Sequence, residues 1–132
     1  MKKLLIIEDD VVLLTELTAK FNLAGFNVFS FNGSESMGEI ADYVHIEKPD
    51  YIILDLILPK INGYDLLHSI KGDENTFNVP LIVFSDFSEE DVRTRCQNLG
   101  ADYYFVKQDF MMDDFVVKVK RIVNNRDRNN NQ

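Results

Sequence analysis

The sequence predicts an α/β domain: one parallel sheet of five strands, helices on both faces and right-handed crossovers. Two observations carry this. Five apolar runs of strand length alternate with five stretches of helical period along the 132 residues, and that alternation is the pattern of a parallel sheet layered with helices. In addition, Leu4–Ile7 and Tyr51–Leu54 are unbroken apolar runs, as strands buried on both faces require.

Leu4–Ile7 is the first strand, and Asp10 is placed to cap the helix that follows. There Leu13, Leu14, Leu17, Phe21 and Ala24 recur at helical spacing until Gly25 stops it. Val28–Phe31 is a weaker second strand. Ser34 is the predicted cap of a second helix carrying Met37, Ile40, Ala41 and Val44 on one face. Pro49 ends that crossover and Tyr51–Leu54 is the third strand, closing on Asp55. The stretch Leu58-Pro59-Lys60-Ile61-Asn62-Gly63 is rich in turn residues and reads as a loop. A short helix with Leu66, Leu67 and Ile70 inward ends near Gly72.

Pro80–Ser85 is the fourth strand, its proline at the first residue, where a missing donor is tolerated. Ser88-Glu89-Glu90-Asp91 resembles a capping box opening a helix with Val92, Cys96 and Leu99 inward, stopped by Gly100. Asp102–Val106 is the fifth strand. Asp109 is the predicted cap of a last helix whose stripe is Met112, Phe115, Val116, Val119, Ile122 and Val123. Residues 124–132 hold no apolar side chain, and five of the nine are Asn. The expectation is a domain over 1–123 and a polar, disordered tail or truncated linker over 124–132.

Composition narrows the function. A net charge of −8 argues against a nucleic-acid-binding surface, which needs clustered Lys and Arg, and fits cationic partners such as metal ions or basic protein surfaces. Cys96 is the only cysteine, so an intrachain disulfide is excluded and a reducing compartment is expected. The apolar stretch after Lys3 stops at Glu8-Asp9-Asp10, too short for a signal peptide. Nor does any run approach the roughly 20 apolar residues of a membrane span. The chain is expected to be soluble and cytoplasmic, with no membrane association. His45 and His68 lack a metal-like partner spacing and are expected at the surface, whereas Cys96 and the Met111-Met112 pair are expected to pack inward.

In such sheets, sites form beyond the carboxyl ends of the strands. Here those ends carry Glu8-Asp9-Asp10, Asp55, Ser85-Asp86 and Lys107. Three or more carboxylates brought together cannot all stay ionised without a cation, and hard oxygen ligands suit magnesium. A lysine beside them supplies a point charge for a carboxylate or a phosphoryl group, and a serine hydroxyl is a donor to a phosphoryl oxygen.

From Lys2 to Val123 the sequence resembles a response-regulator receiver domain of two-component signalling, chemotaxis receivers included. The resemblance rests on Glu8 and Asp9 in Leu-Leu-Ile-Ile-Glu-Asp-Asp, and on Asp55 in Ile-Ile-Leu-Asp-Leu-Ile-Leu-Pro-Lys-Ile-Asn-Gly. Ser85 after the fourth strand and Lys107 after Gly-Ala-Asp-Tyr-Tyr-Phe-Val complete it. The resemblance implies a flavodoxin-like fold with strand order 2-1-3-4-5. It implies that Asp55 accepts a phosphoryl group from the phosphohistidine of a sensor histidine kinase or histidine phosphotransfer protein. It further implies that Glu8, Asp9, Asp55 and the backbone carbonyl of Ile57 hold magnesium, with manganese or calcium as substitutes. Ser85 and Lys107 would contact the phosphoryl group and Tyr104 would be the aromatic switch residue. Such a protein is a substrate of a kinase rather than an enzyme, assisting only its own phosphorylation and dephosphorylation. Dimer contacts would use the face of the fourth helix, fifth strand and fifth helix. Two positions depart from the family pattern: Gln108 stands where a proline usually follows the lysine, and Asp86 where a small residue usually follows the hydroxyl.

Rival readings meet specific obstacles. The acids Glu8-Asp9-Asp10 would repel a flavin phosphate after strand one, and no two glycines stand two apart as a dinucleotide loop needs. An aspartate-nucleophile phosphohydrolase shares the logic of Asp55 and Lys107 but carries a second acid where this chain has Ile57. A non-phosphorylated pseudo-receiver scaffold is opposed by Asp55 and Lys107 and favoured by Gln108 and Asp86.

Overall fold

The central strands are the most apolar, and the sheet is built around them. A computed structural model describes residues 1–130 and orders the strands 2-1-3-4-5, all parallel. The strands are β1 (Lys3–Ile7), β2 (Asn27–Phe31), β3 (Tyr51–Leu54), β4 (Leu81–Ser85) and β5 (Tyr103–Val106). They alternate with α1 (Val11–Leu23), α2 (Met37–Glu47), α3 (Gly63–Gly72), α4 (Glu90–Asn98) and α5 (Met112–Asn130). This is the flavodoxin-like order that the resemblance implied. β3 and β4 are buried along their whole length, whereas β2 and β5, at the sheet edges, are only partly buried, which is why β2 reads weakly in the sequence.

Alternation along each strand divides the core into two layers. Leu5, Ile7, Ile52, Leu54, Leu81 and Val83 face Ile40, Val44, Leu66, Leu67, Ile70 and Cys96 of α2, α3 and α4. Leu4, Ile6, Ile53, Ile82 and Phe84 face Leu17, Phe21, Phe115, Val116 and Val119 of α1 and α5. In that second layer the Phe115 ring is fully buried, stacked on Phe84 at 3.8 Å and edge-on to Phe21, Phe105 and Phe110. A side chain this enclosed is worth about 3–5 kcal/mol against alanine.

Several helix boundaries differ from expectation. The α2 cap is Ser36, whose hydroxyl accepts from Glu39 N–H at 3.1 Å in a reciprocal capping box, while Ser34 bonds Glu35 in the preceding turn. α4 starts at Glu90 with Glu89 at its cap position and no side-chain cap, so the predicted Ser88 box does not form. Asp109 caps nothing: it closes a single 3-10 turn, Lys107–Asp109, and α5 begins only at Met112. Met112 packs on the core but Met111 is exposed. Asp10 does cap α1, accepting from Leu13 N–H at 3.1 Å, and His45 and His68 are exposed.

α5 continues as helix to Asn130, past the expected domain end at residue 123; residues 131–132 lie outside the described residues. Helix growth adds one hydrogen bond per residue once nucleated, and polar ties hold the last turns. Arg126 donates to the Tyr103 hydroxyl at 3.1 Å and Asp127 pairs with Lys2 at 3.0 Å. Asp102, just before β5, is anchored too: its carboxylate accepts from Leu81 N–H and pairs with the buried Lys71 ammonium, both at 2.8 Å.

Candidate functional site

Parallel pairing brings the acidic strand ends together. Ile7 pairs with Leu54 and Ser85 with Val106, so Glu8, Asp55, Asp86 and Lys107 follow directly on paired positions of neighbouring strands. The sheet bonds reach the site itself: Asp55 N–H donates to the Ile7 carbonyl at 2.9 Å and Glu8 N–H to the Phe31 carbonyl at 3.1 Å. Backbone placement of both acids is therefore a property of the sheet.

Glu8 and Asp55 are only 2% and 5% exposed. Lys107 is the cation between them, its Nζ 2.8 Å from Glu8 Oε1 and 3.3 Å from Asp55 Oδ2. One ammonium thus serves two buried carboxylates. Burial pushes the Asp55 carboxyl up to about 8, helped by the hydrogen bond and charge of Glu8 and resisted by Lys107 and the Ile57 N–H. Burial works against the charge on Lys107, yet the Glu8 hydrogen bond and the Asp55 and Glu8 charges prevail, and its affinity for the proton rises. Asp9 is exposed beside them. Glu8, Asp9 and Asp55 each bring one carboxylate oxygen within 4.8 Å of the others. This is an all-oxygen donor set of the kind hard divalent cations take.

The β3–α3 loop is shaped to bring backbone to the same place. Ile57 N–H donates to Asp55 Oδ1 at 3.3 Å, and Gly63 N–H donates to the Leu56 carbonyl at 3.1 Å, closing a small antiparallel bridge between Ile57 and Asn62. A Cβ at residue 63 would lie 2.3 Å from the Leu56 carbonyl oxygen, so the bridge requires glycine there.

Ser85 is fully buried at the end of β4, and its Oγ accepts from Phe87 N–H at 3.0 Å. Tyr104 is buried one strand over, and its hydroxyl donates to the Phe87 carbonyl at 2.7 Å. Both side chains thus hold the same peptide segment of the β4–α4 loop. The Arg93 guanidinium lies 4.9 Å from the Tyr104 ring centre and donates to the Tyr104 carbonyl at 3.2 Å. Sequence reasoning did not single out Arg93; its place in a short polar helix gave no signal without the β5 ring beneath it. It also treated Asp86 and Gln108 separately, whereas Gln108 Nε2 lies 3.4 Å from Asp86 Oδ1. The Ser85–Val106 pairing is the signal that would have linked them.

Relatives share this architecture. Phosphate regulon transcriptional regulatory protein PhoB of Pseudomonas aeruginosa is 29% identical over 123 residues, 92% of this chain and 52% of that protein. Cell cycle transcriptional regulator CtrA of Caulobacter vibrioides is 31% identical over 124 residues, 92% of this chain and 50% of that protein. The chain therefore spans about half the length of these curated relatives. Among solved structures, a CheY-like response regulator receiver domain protein from Methanospirillum hungatei superimposes with a TM-score of 0.82 at 21% identity, covering 98% of each chain. A putative response regulator from Chloroflexus aurantiacus gives 0.78 at 26% identity, covering 92% of this chain and 96% of that one. The sequence profile of the response regulator receiver domain matches residues 4–120, from the first core residue of β1 to the middle of α5. By that match the chain belongs to the response regulator receiver domain family, a family of signalling modules rather than classical enzymes.

Proposed function

We propose that this domain is a phosphorylation-driven switch with Asp55 as its phosphoacceptor, charged by a histidine kinase or histidine phosphotransfer protein. The observation that carries this is a nearly buried aspartate at a strand end, 3.3 Å from a lysine ammonium and within 4.8 Å of two further carboxylates. An Asp55 carboxylate oxygen attacks phosphorus, the P–N bond to the donor histidine breaks, and the imidazole leaves with the bonding pair. Lys107 offsets negative charge on the transferred group. The Ser85 hydroxyl, whose oxygen already accepts from Phe87 N–H, keeps its proton to donate to a phosphoryl oxygen.

Glu8, Asp9 and Asp55, with the Ile57 carbonyl, form the proposed magnesium site. Magnesium bound there supplies charge neutralisation for the carboxylates and the incoming phosphoryl oxygens. Ser85 and Tyr104 are the proposed switch, because both grip the Phe87 peptide. When Ser85 turns to a phosphoryl group it releases the Phe87 N–H, and the loop into α4 repacks against Tyr104. The output face is then α4, β5 and α5, where partner or dimer contacts would form. No helix among the described residues is long and apolar enough to cross a membrane, in keeping with a partner met in the cytoplasm.

The test is intact mass after incubation with a small phosphodonor and magnesium. Wild type should gain one base-labile phosphoryl mass and Asp55→Asn none; an equal gain at an unchanged rate in the variant overturns the assignment.

A further inference from the structure

Asp86 and Gln108 lie outside the group that the phosphoacceptor reading uses, yet they touch each other at its edge. They immediately follow Ser85 and Lys107 in the chain, and they come together at 3.4 Å between Gln108 Nε2 and Asp86 Oδ1. Both side chains are exposed, so this bond contributes little to stability. Its effect is to hold a carboxylate at a defined place beside the reaction centre. The Lys107 ammonium feels that carboxylate, which adds to the pull of Asp55 and Glu8. No cationic side chain is ion-paired with Asp86 among the described residues, so no close cation offsets its charge at this exposed edge of the site.

We propose that Asp86, oriented by Gln108, is a charge-selective residue at this site: it slows phosphorylation of Asp55 by small dianionic phosphodonors relative to less negative ones. The inference rests on the phosphoacceptor reading of Asp55. With acetyl phosphate, an Asp55 oxygen attacks phosphorus, the P–O bond breaks and acetate leaves with the bonding pair. With phosphoramidate monoanion, the P–N bond breaks and the nitrogen, already protonated, leaves as ammonia. The acceptor and its surroundings are the same in both reactions. What differs is the charge each donor brings past Asp86, and one fixed charge near a partly screened route changes association most for the more highly charged donor.

The experiment measures initial rates of phosphoryl mass gain on the full chain with magnesium at pH 7, using each donor, for four proteins. They are wild type, Asp86→Asn, Gln108→Ala and Glu74→Gln, the last removing one exposed charge from the α3–β4 loop. Asp86→Asn should raise the acetyl phosphate rate about three- to tenfold and the phosphoramidate rate by about the square root of that factor, roughly two- to threefold, the gap closing at high salt. Gln108→Ala should move the donor ratio the same way by a smaller factor, because the carboxylate stays but is no longer oriented. Glu74→Gln should leave the ratio unchanged. Equal changes with both donors in Asp86→Asn, a gap that persists at high salt, or a matching shift in Glu74→Gln overturns the proposal. Wild type gaining no phosphoryl mass from either donor overturns instead the phosphoacceptor reading beneath it.

Discussion

Replacing Lys107 with methionine tests how the two buried carboxylates are held, because it keeps the length and apolar stem and removes only the charge. The ammonium lies 2.8 Å from Glu8 and 3.3 Å from Asp55, which at an effective dielectric near 20 corresponds to roughly 5–6 kcal/mol of gross attraction per pair. Desolvation of three charges offsets most of this, and removing one partner of a buried pair costs about 3–5 kcal/mol net when the survivors stay charged. The survivors have an escape. Asp55 titrates near 8, chiefly because it is buried, so below that pH it carries a proton and only the Glu8 pair is lost. Its folded pKa lies above the unfolded one, so its stabilising contribution is complete below the ordinary carboxylate range and fades as pH rises through the folded value. Lys107 holds that value down; without it the fading starts at the same ordinary carboxylate pKa but ends at a higher pH and runs further. In metal-free urea unfolding, Lys107→Met should therefore cost about 2 kcal/mol at pH 6 and about 3–4 kcal/mol at pH 9, with an unchanged m-value. Added magnesium should recover part of the loss at pH 9. A destabilisation that is equal at the two pH values, or larger at pH 6, would refute the shared-cation account.

Four further outcomes are expected. Millimolar magnesium should raise the melting temperature of wild type by a few degrees, about what 1 kcal/mol of ligand linkage gives at this size, and Asp9→Ala should lose most of that gain; equal shifts in both would indicate screening of the −8 charge. Phe87, half-buried beside Ser85, and the exposed Ile57 flank the site, so Phe87→Ala should speed dephosphorylation by a few-fold as water gains access, with an unchanged rate counting against shielding. In hydrogen exchange, beryllofluoride should alter protection between Ser85 and Val123, and no change there would remove the Ser85–Tyr104 switch. Phe115→Ala should cost about 3–5 kcal/mol in urea unfolding while leaving Asp55 able to gain a phosphoryl group under folding conditions; a loss under about 1 kcal/mol would contradict the enclosed ring cluster.

Strand placement was legible because the chain marks it twice. An unbroken apolar run such as Tyr51–Leu54 needs a sheet interior on both sides, and the acid that ends it needs solvent or a cation. Carboxyl ends of strands in a parallel sheet share one rim, so the sequence alone groups Glu8, Asp55, Ser85 and Lys107. Caps were less legible. Ser34 and Ser36 both stand before Met37, and Glu39 decides between them only through a reciprocal bond that depends on the helix frame. The helical stretch 124–130 has no apolar side chain to announce it, since its support comes from Tyr103 and Lys2, both distant in sequence. Arg93 over Tyr104 and Gln108 beside Asp86 required the β4–β5 register and the packing of α4, which periodicity does not encode.

The pairing of Lys2 with Asp127 has a topological consequence. It sets the start of β1 against the last turns of α5, so the two ends of the fold are neighbours, on the far rim of the sheet from Asp55. A bridge of a few flexible residues between them would close the chain into a ring at little entropic cost. The sheet order would survive such closure, because every strand pairing lies inside it. New termini could then be opened in a surface turn, and the same α/β sandwich would be reached from a different starting residue.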